Sequence, residues 1–334
     1  MPDGVTPTGI PYPDVAISGH LYTDDVQSVT WTLGISDVLA PLSPNTASVT
    51  LVGQVATVPG DTLVITSALG VQWSGRVDTS TQTRDTNGDW WTTINGTDLI
   101  GALGAAQLVD YTFLYDDVET IAEDIGAELG IPVDVVDESA SGLRVVAAGG
   151  NASGSALEYI NASAMATNVM LATKRDGRIA AVVREGVTPS PVLALTGINA
   201  PRDWALSTSI NVDINAWVFT LVVTHASGVY ALDAADIAIY GRREYSATGV
   251  EMEVADIVAA FFDWYTYGGS QRPTASGTMI VTAWSQDDLI LLDPFQWVTE
   301  DGTDWQVMSV RHDVTKSPPL WTVAITADNL LDLL

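Results

Sequence analysis

The sequence predicts a mainly β protein with an α+β insert, in which two related small β-barrels flank an α/β domain. Three observations predict it. Apolar residues alternate with polar ones, at a strand's period of two, through residues 15–112 and again beyond Pro189 and Pro191. Between those blocks the spacing changes to that of helices. One short pattern also recurs 232 residues apart, once in each β-rich block: Asp61, Gly70 and Trp73, then Asp293, Gly302 and Trp305. In both copies the Gly falls where a hairpin reverses, and the positions two and four after the Asp are large and apolar (Leu63 and Ile65, Phe295 and Trp297).

Residues 1–14 carry Pro2, Pro7, Pro11 and Pro13. Proline fixes φ and keeps its predecessor extended, so this reads as an arm ordered against its own barrel or a partner. Residues 15–112 read as the first barrel. Val29 to Leu33, Ala47 to Val52, Leu63 to Thr66, Val71 to Val77 and Trp90 to Ile94 are its strands, and Asn87-Gly88 is a hairpin signal before the last.

Residues 113–188 read as the α/β insert. Val118, Ile121, Ala122, Ile125 and Leu129 make one helical stripe, capped by Asp116 or Asp117 and ended by Gly130 before Pro132. Ser155-Ala156-Leu157-Glu158 is a capping box that opens a second helix over about 156–166. Residues 168–173 then pair with 178–183 across Asp176-Gly177, and 149–154 form a Gly-rich loop.

Residues 189–334 read as the second barrel. Ala216 to Val223, Thr278 to Ala283, Phe295 to Thr299, Trp305 to His312 and Leu320 to Thr326 are strands. One inserted helix, about 250–265, starts at the capping box Thr248 to Glu251 and buries Val254, Ile257, Val258, Phe261 and Phe262.

Composition narrows the function. Thirteen basic residues against 41 acidic ones give a net charge of −28, and only Lys174 and Lys316 are lysines. Residues 1–143 hold 20 acids and two bases, Arg76 and Arg84. That is no footprint for a nucleic-acid reader, which replaces phosphate counterions with cations. Such acidity serves solubility, or a surface that lies near DNA without holding it. Cysteine is absent, which removes disulfides, thiol nucleophiles and thiolate metal sites and fits synthesis in a reducing cytoplasm. The start, Met1 to Gly4, lacks a signal peptide's plan, and no run of ~18 apolar residues suits a membrane helix.

Motifs for chemistry are scarce, and no catalytic, cofactor-binding or metal-binding residue is assigned. His20, His225 and His312 are far apart without partner spacing and read as surface or strand-face residues. The acidic pairs Asp24-Asp25, Asp116-Asp117 and Asp287-Asp288 invite a glycosidase reading, but neighbours on a strand face opposite ways and do not converge. Asp85, Asn87 and Asp89 begin like a calcium loop, yet Trp90 and Gly96 stand where its Gly and Glu belong, so a turn is favoured. Eleven tryptophans raise a carbohydrate platform; Trp31, Trp217, Trp297 and Trp305 sit within strands, where packing is the default.

Three blocks then resemble a known family, the tail-tip or baseplate hub proteins of long-tailed bacteriophages. The first runs from Val29 to Leu33 through Thr46 to Leu51, Gly60-Asp61 and Trp73 to Val77 to Gly96-Thr97-Asp98-Leu99-Ile100. The second is Ser155 to Ile160 with Ala180 to Arg184, and the third is Asp236 to Arg243 leading into the Val250 helix. Their order is the specific part. The resemblance implies two related barrels per subunit and a homotrimeric ring, six-fold to the tail tube and three-fold to the tip. It implies a structural virion protein of the tail tip, made in the host cytoplasm, that is not an enzyme and has no cofactor. Its implied partners are a distal tail or tail-tube protein on one side and a central tip or fibre protein on the other, with a tape-measure protein as a further partner. DNA would pass through an acidic channel without specific binding, and no stable membrane anchor is implied. The chain ends at Leu334 after its second barrel, which leaves no room for the lytic domain some relatives bear. A carbohydrate-binding module of a phage tail or secreted protein using exposed Trp is the alternative, and a glycosidase comes third.

Overall fold

The structure is a computed structural model. It describes residues 12–36, 40–113, 117–139, 142–143, 150–167, 169–183, 190–195, 207–212, 220–225, 228–233, 244–248, 266–267, 270–271, 275–282, 290–300, 302–317 and 319–329.

The first block folds as β1 (Asp14–Ile17), β2 (His20–Leu21), β3 (Val26–Gly34), β4 (Thr46–Val52), β5 (Thr62–Ser67), β6 (Gly70–Arg84) and β7 (Trp90–Thr97). The alternation read from sequence is the burial pattern of these strands: Val29, Trp31 and Leu33 of β3 and Ala47, Val49 and Leu51 of β4 point inward. Gly88, at a φ of 93°, turns β6 into β7, and Asp85 Oδ1 accepts the Asn87 and Asp89 amides (2.8 and 2.9 Å).

A short helix, α1 (Leu99–Ala105), follows; Asp98 caps it by accepting the Ile100 amide at 3.1 Å. Then come β8 (Gln107–Phe113), α2 (Val118–Leu129), β9 (Val135–Asp137), β10 (Gly150–Ser155), α3 (Ala156–Ala166), β11 (Val169–Thr173) and β12 (Ile179–Val183). The caps are those the sequence predicts: Asp117 accepts from Thr120, Gly130 closes α2 in the left-handed region at φ 67°, and Ser155 accepts from Glu158. These elements share a core of their own, built on Ile121, Ile125, Ile160, Leu171 and Ile179 with Ile100, Leu103 and Leu108 from α1 and β8.

The second block supplies β13 (Pro191–Leu195), β14 (Ser207–Val212), β15 (Thr220–His225), β16 (Gly228–Asp233), β17 (Glu244–Thr248), β18 (Thr266–Tyr267), β19 (Ser270–Gln271), β20 (Ala275–Thr282), β21 (Trp297–Glu300), β22 (Thr303–Lys316) and β23 (Pro319–Asn329). The helix expected over about 250–265 lies outside the described residues, as do the first eleven residues of the arm. Tyr12, at the arm's end, donates its hydroxyl to the Thr315 and Lys316 carbonyls, both at 3.1 Å.

The two β-rich blocks meet in one 13-stranded sheet. Within it six strands of each block stand in the same spatial order, and the first block adds β2 beyond β1. The first runs β3-β4-β7-β6-β5-β1 and the second β14-β20-β23-β22-β21-β13. By rank along the chain both read second, third, sixth, fifth, fourth, first. The long strand carries a bulge at the same place in each: between Val77 and Thr79 against β7, and between Val307 and Ser309 against β23. Only the last pairing differs, since β1 runs antiparallel to β5 and β13 parallel to β21. One apolar core runs through both blocks, from Val15 to Ala327.

This register corrects one reading of the sequence. Val77 exchanges backbone hydrogen bonds with Gly60 and Asp61, and Val307 exchanges the matching pair with Phe295 and Gln296. Val77 and Val307 are therefore equivalent, at an offset of 230 rather than 232. Trp305 then occupies the place of Gly75, and Trp73 the place of Thr303. Gly70 and Gly302 do both serve their hairpins in the left-handed region, at φ 104° and 80°. The Asp…Gly…Trp spacing is thus not a set of equivalent side chains, whereas the strand order is shared.

Candidate functional site: the seam between the blocks and the open strand edges

The blocks are joined where β22 lies antiparallel to β3, from Ser309 opposite Gly34 to Thr315 opposite Ser28. The Met308 bulge reverses which side chains face inward, so Val310, His312 and Val314 are all buried. His312 stacks flat on its cross-strand partner Trp31, with ring centroids 4.5 Å apart and planes 8° from parallel. Trp321, on β23, meets Trp31 edge-on at 5.7 Å and donates its indole N–H to His312 Nδ1 at 3.1 Å. That bond makes Nδ1 an acceptor and keeps the imidazole neutral. Burial drives its pKa down to about 3, against a small opposing pull from Asp313.

Close backbone approach completes the seam. A Cβ on Gly34, whose φ is 103°, would stand 2.1 Å from the Met308 carbonyl oxygen, so a side chain is excluded there. The Ile35 amide donates to that same oxygen at 2.9 Å. On the outer face Asp313 accepts from Thr30 and pairs with Arg311 at 3.0 Å.

Two buried carboxylates fasten the α/β part to the sheet. Asp98 accepts from Asn45 Nδ2 (3.2 Å), and its own amide donates to the Asn45 carbonyl (3.0 Å). Burial pushes its carboxyl up to about 6, and the hydrogen bonds only partly offset this. Asp293 holds the β11–β12 turn: it accepts the Arg175 amide at 3.0 Å, while Arg175 Nη1 donates to the Leu291 carbonyl. Burial raises its pKa, opposed by Arg175. Sequence reasoning missed this tie, which joins residues 118 apart.

The remaining candidates do not converge. His20 is exposed and meets Tyr22 in a ring contact, His312 is buried in the seam, and the His225 side chain lies outside the described residues. Asp24 and Asp25 lie in an exposed turn, Asp117 caps α2, and Asp116, Asp287 and Asp288 lie outside the described residues. Among the described residues no three His, Asp or Glu side chains cluster as a metal site requires. Trp31, Trp297 and Trp305 are core residues, and Trp217 lies outside the described residues. Among the described residues Trp90, at 37% exposure, is the exposed large aromatic, and Arg84 lies over its ring at 5.9 Å.

What the molecule does present is backbone. β5 leaves β6 at the Thr62–Arg76 pair, and beyond it residues 78–84 are all exposed, with β7 on one side and no strand on the other among the described residues. Among the described residues β14 ends the sheet, paired to β20 alone. An open edge presents unpaired backbone groups with which another strand can pair. Among the described residues no helix is long and apolar enough to cross a membrane.

No protein-family model and no curated protein matches the sequence. Solved structures do match the fold. A tail protein from Neisseria meningitidis aligns over 95% of this chain and 96% of its own, with a TM-score of 0.69 at 14% identity. A 43 kDa prophage tail protein from Shewanella oneidensis aligns over the same shares, with a TM-score of 0.67 at 12% identity. A component of the type VI secretion system of E. coli, described as structurally similar to tail proteins of bacteriophage T4, covers 94% of this chain and 76% of its own, with a TM-score of 0.57 at 11% identity. At these identities the likeness is one of fold, and the fold is that of phage tail proteins.

Proposed function

We propose that the chain is a structural hub subunit of a phage tail tip or baseplate, that three copies close into a ring, and that it catalyses no reaction. The observation that carries this reading is the repeated strand order. Each chain holds two six-strand units of one topology, already joined edge to edge through β22 and β3. Three such chains offer six like units, so a three-fold object matches a six-fold tube without a second kind of subunit. The fold shared with tail proteins supports a place in the virion. The two units correspond to two barrels, within 15–112 and 189–334, with the α/β unit of 113–188 between them and α1 and β8 packed into that unit's core.

On one side the ring meets a distal tail or tube protein, and on the other a central tip or fibre protein. A net charge of −28 in each copy, at contacts closer than a Debye length, repels phosphate from the inner wall as the genome passes. A ring structure with its carboxylates all on the outer wall and a neutral lumen would remove the channel part of this reading. The ring itself is tested by native mass spectrometry of the purified protein and of tail tips that contain it. A carbohydrate-binding module loses ground because Trp31, Trp297 and Trp305 are buried; glycan binding abolished by Trp90→Ala would restore it.

A further inference from the structure

We infer that Phe295 is a latch that holds the α/β unit on the second β-rich block, in a backbone conformation the first block gives to glycine, and that the joint it closes opens on its own while the large sheet stays folded.

The chain carries its own control. Val58-Pro59-Gly60-Asp61 leads into β5, and Asp293-Pro294-Phe295-Gln296 leads into β21. These are the same turn. In each, the fourth amide donates to the first carbonyl, at 3.1 Å to Val58 and 3.4 Å to Asp293. In each, the fourth side chain accepts the first amide, at 2.9 Å on Asp61 and 2.9 Å on Gln296. Proline stands second in both, as it does in turns whose third residue is left-handed. That third residue is Gly60, at φ 94°, in the first block and Phe295, at φ 69°, in the second. Its amide donates to Val77 in one and to Val307 in the other. Local chemistry therefore asks for glycine at 295, because a Cβ in the left-handed region crowds the following carbonyl. Among the described residues three that are not glycine lie at positive φ, and Phe295 is the one with a large side chain.

What the ring gains lies across the joint. A Cβ on Gly60 would meet nothing within 4 Å, whereas Phe295 is buried in a small cluster of its own. That cluster joins Trp297 and Met308 of the sheet to Met170, Ala172, Ala180 and Val182 of β11 and β12. Two of the four residues on the α/β side are alanines, so the bulk at this contact comes from the sheet side. Arg175 ties the same turn from the α/β side through Asp293 and the Leu291 carbonyl.

A second cost sits at the same spot. Gln306 Nε2 reaches the Phe295 carbonyl at 3.4 Å, and its buried Oε1 has no hydrogen-bond partner among the described residues. A displaced glycine beside an orphaned acceptor marks a contact held under strain. When the joint opens, the α/β unit stays tethered by the chain at Asp98. It also keeps Leu42, whose amide and carbonyl bond the Asn161 side chain at 2.9 Å each.

The chain has no cysteine, so one introduced thiol reports on one place. Ala172→Cys puts it in the joint and Ala327→Cys in the core of the large sheet, and both positions are 0% exposed. Each variant is labelled with N-ethylmaleimide under native conditions, where reaction requires opening. The Ala172→Cys thiol is expected to react at least about tenfold faster than the Ala327→Cys thiol, as local opening outruns global unfolding. Phe295→Ala removes the ring and keeps the strained φ. It should speed the Ala172→Cys thiol by a further factor of about ten or more, and by far more than the Ala327→Cys thiol. Phe295→Gly also removes the ring but restores the residue of the first block. Its urea midpoint should lie above that of Phe295→Ala, and Gly60→Ala should lower the midpoint of the parent. Equal rates at the two thiols in the parent overturn the independent opening. An Ala172→Cys rate that Phe295→Ala leaves unchanged, or raises only as much as the Ala327→Cys rate, overturns the latch. A Phe295→Gly midpoint at or below that of Phe295→Ala overturns the strain.

Discussion

His312 lies face to face with Trp31 across 281 residues of sequence, 4.5 Å between ring centroids, and this pair marks where the two β-rich blocks become one sheet. Neither ring is available to a ligand, because both are buried. Their role is to hold β22 on β3.

Trp31→Ala should therefore cost about 3–5 kcal/mol, the range for emptying a large aromatic from a core. It also strips the cover from Trp321 and His312. Denaturant unfolding followed by circular dichroism measures the loss, and a cost below about 1 kcal/mol would show the seam to be soft.

The seam gives the protein an acid sensitivity whose sign is fixed. His312 has its pKa lowered from 6.5 to about 3 in the folded chain. The unfolded chain takes up the proton first, so the neutral imidazole's contribution is complete above pH 6.5 and is lost as the pH falls toward about 3. About 3 kcal/mol should disappear between pH 6.5 and pH 4 from this residue alone, and His312→Gln should flatten that slope. Asp98 works the other way. Its pKa rises from 3.8 to about 6, so the unfolded chain gives up its proton first, and lowering the pH from 6 to 3.8 adds stability. Asp98→Asn should abolish that gain, leaving the His312 loss steeper. Urea titrations of the three proteins at matched pH values separate the two effects.

Gly34→Ala tests the close approach. The new methyl group meets the Met308 carbonyl oxygen at 2.1 Å at a positive φ, so β3 and β22 must part locally. A loss of more than about 2 kcal/mol is expected, of the kind a strained backbone position brings. Hydrogen exchange should report faster amides along 309–315 than along β4, and uniform protection would contradict it.

Arg175→Ala should loosen the α/β part without opening the sheet. The substitution removes the donor to Leu291 and the cation beside Asp293, whose buried carboxylate is then less compensated. A loss of about 1–3 kcal/mol is expected. Limited proteolysis should cut first near residues 174–178, and a first cut within β22 or β23 would contradict the assignment.

Local signals were readable in the chain and distant ones were not. β3 and β4 show their alternation directly, and α2 shows both its cap at Asp117 and its stop at Gly130. α1 escaped because it is seven residues long and carries Gly101 and Gly104, which leaves no helical repeat to see. The β22·β3 seam escaped for a different reason. Strand pairing between Thr30 and Asp313 has no signature in either segment, and the Met308 bulge that turns His312 inward is invisible to a count of alternating residues. The repeated Asp…Gly…Trp spacing drew attention to two hairpins that do hold equivalent places in their units, but the register puts its tryptophans two residues apart.

The most direct test of the ring is the mass of the assembled protein, measured by native mass spectrometry on the purified chain and on tail tips. The account predicts three copies of a 35.4 kDa chain in both. A stable monomer within the tail tip would contradict it.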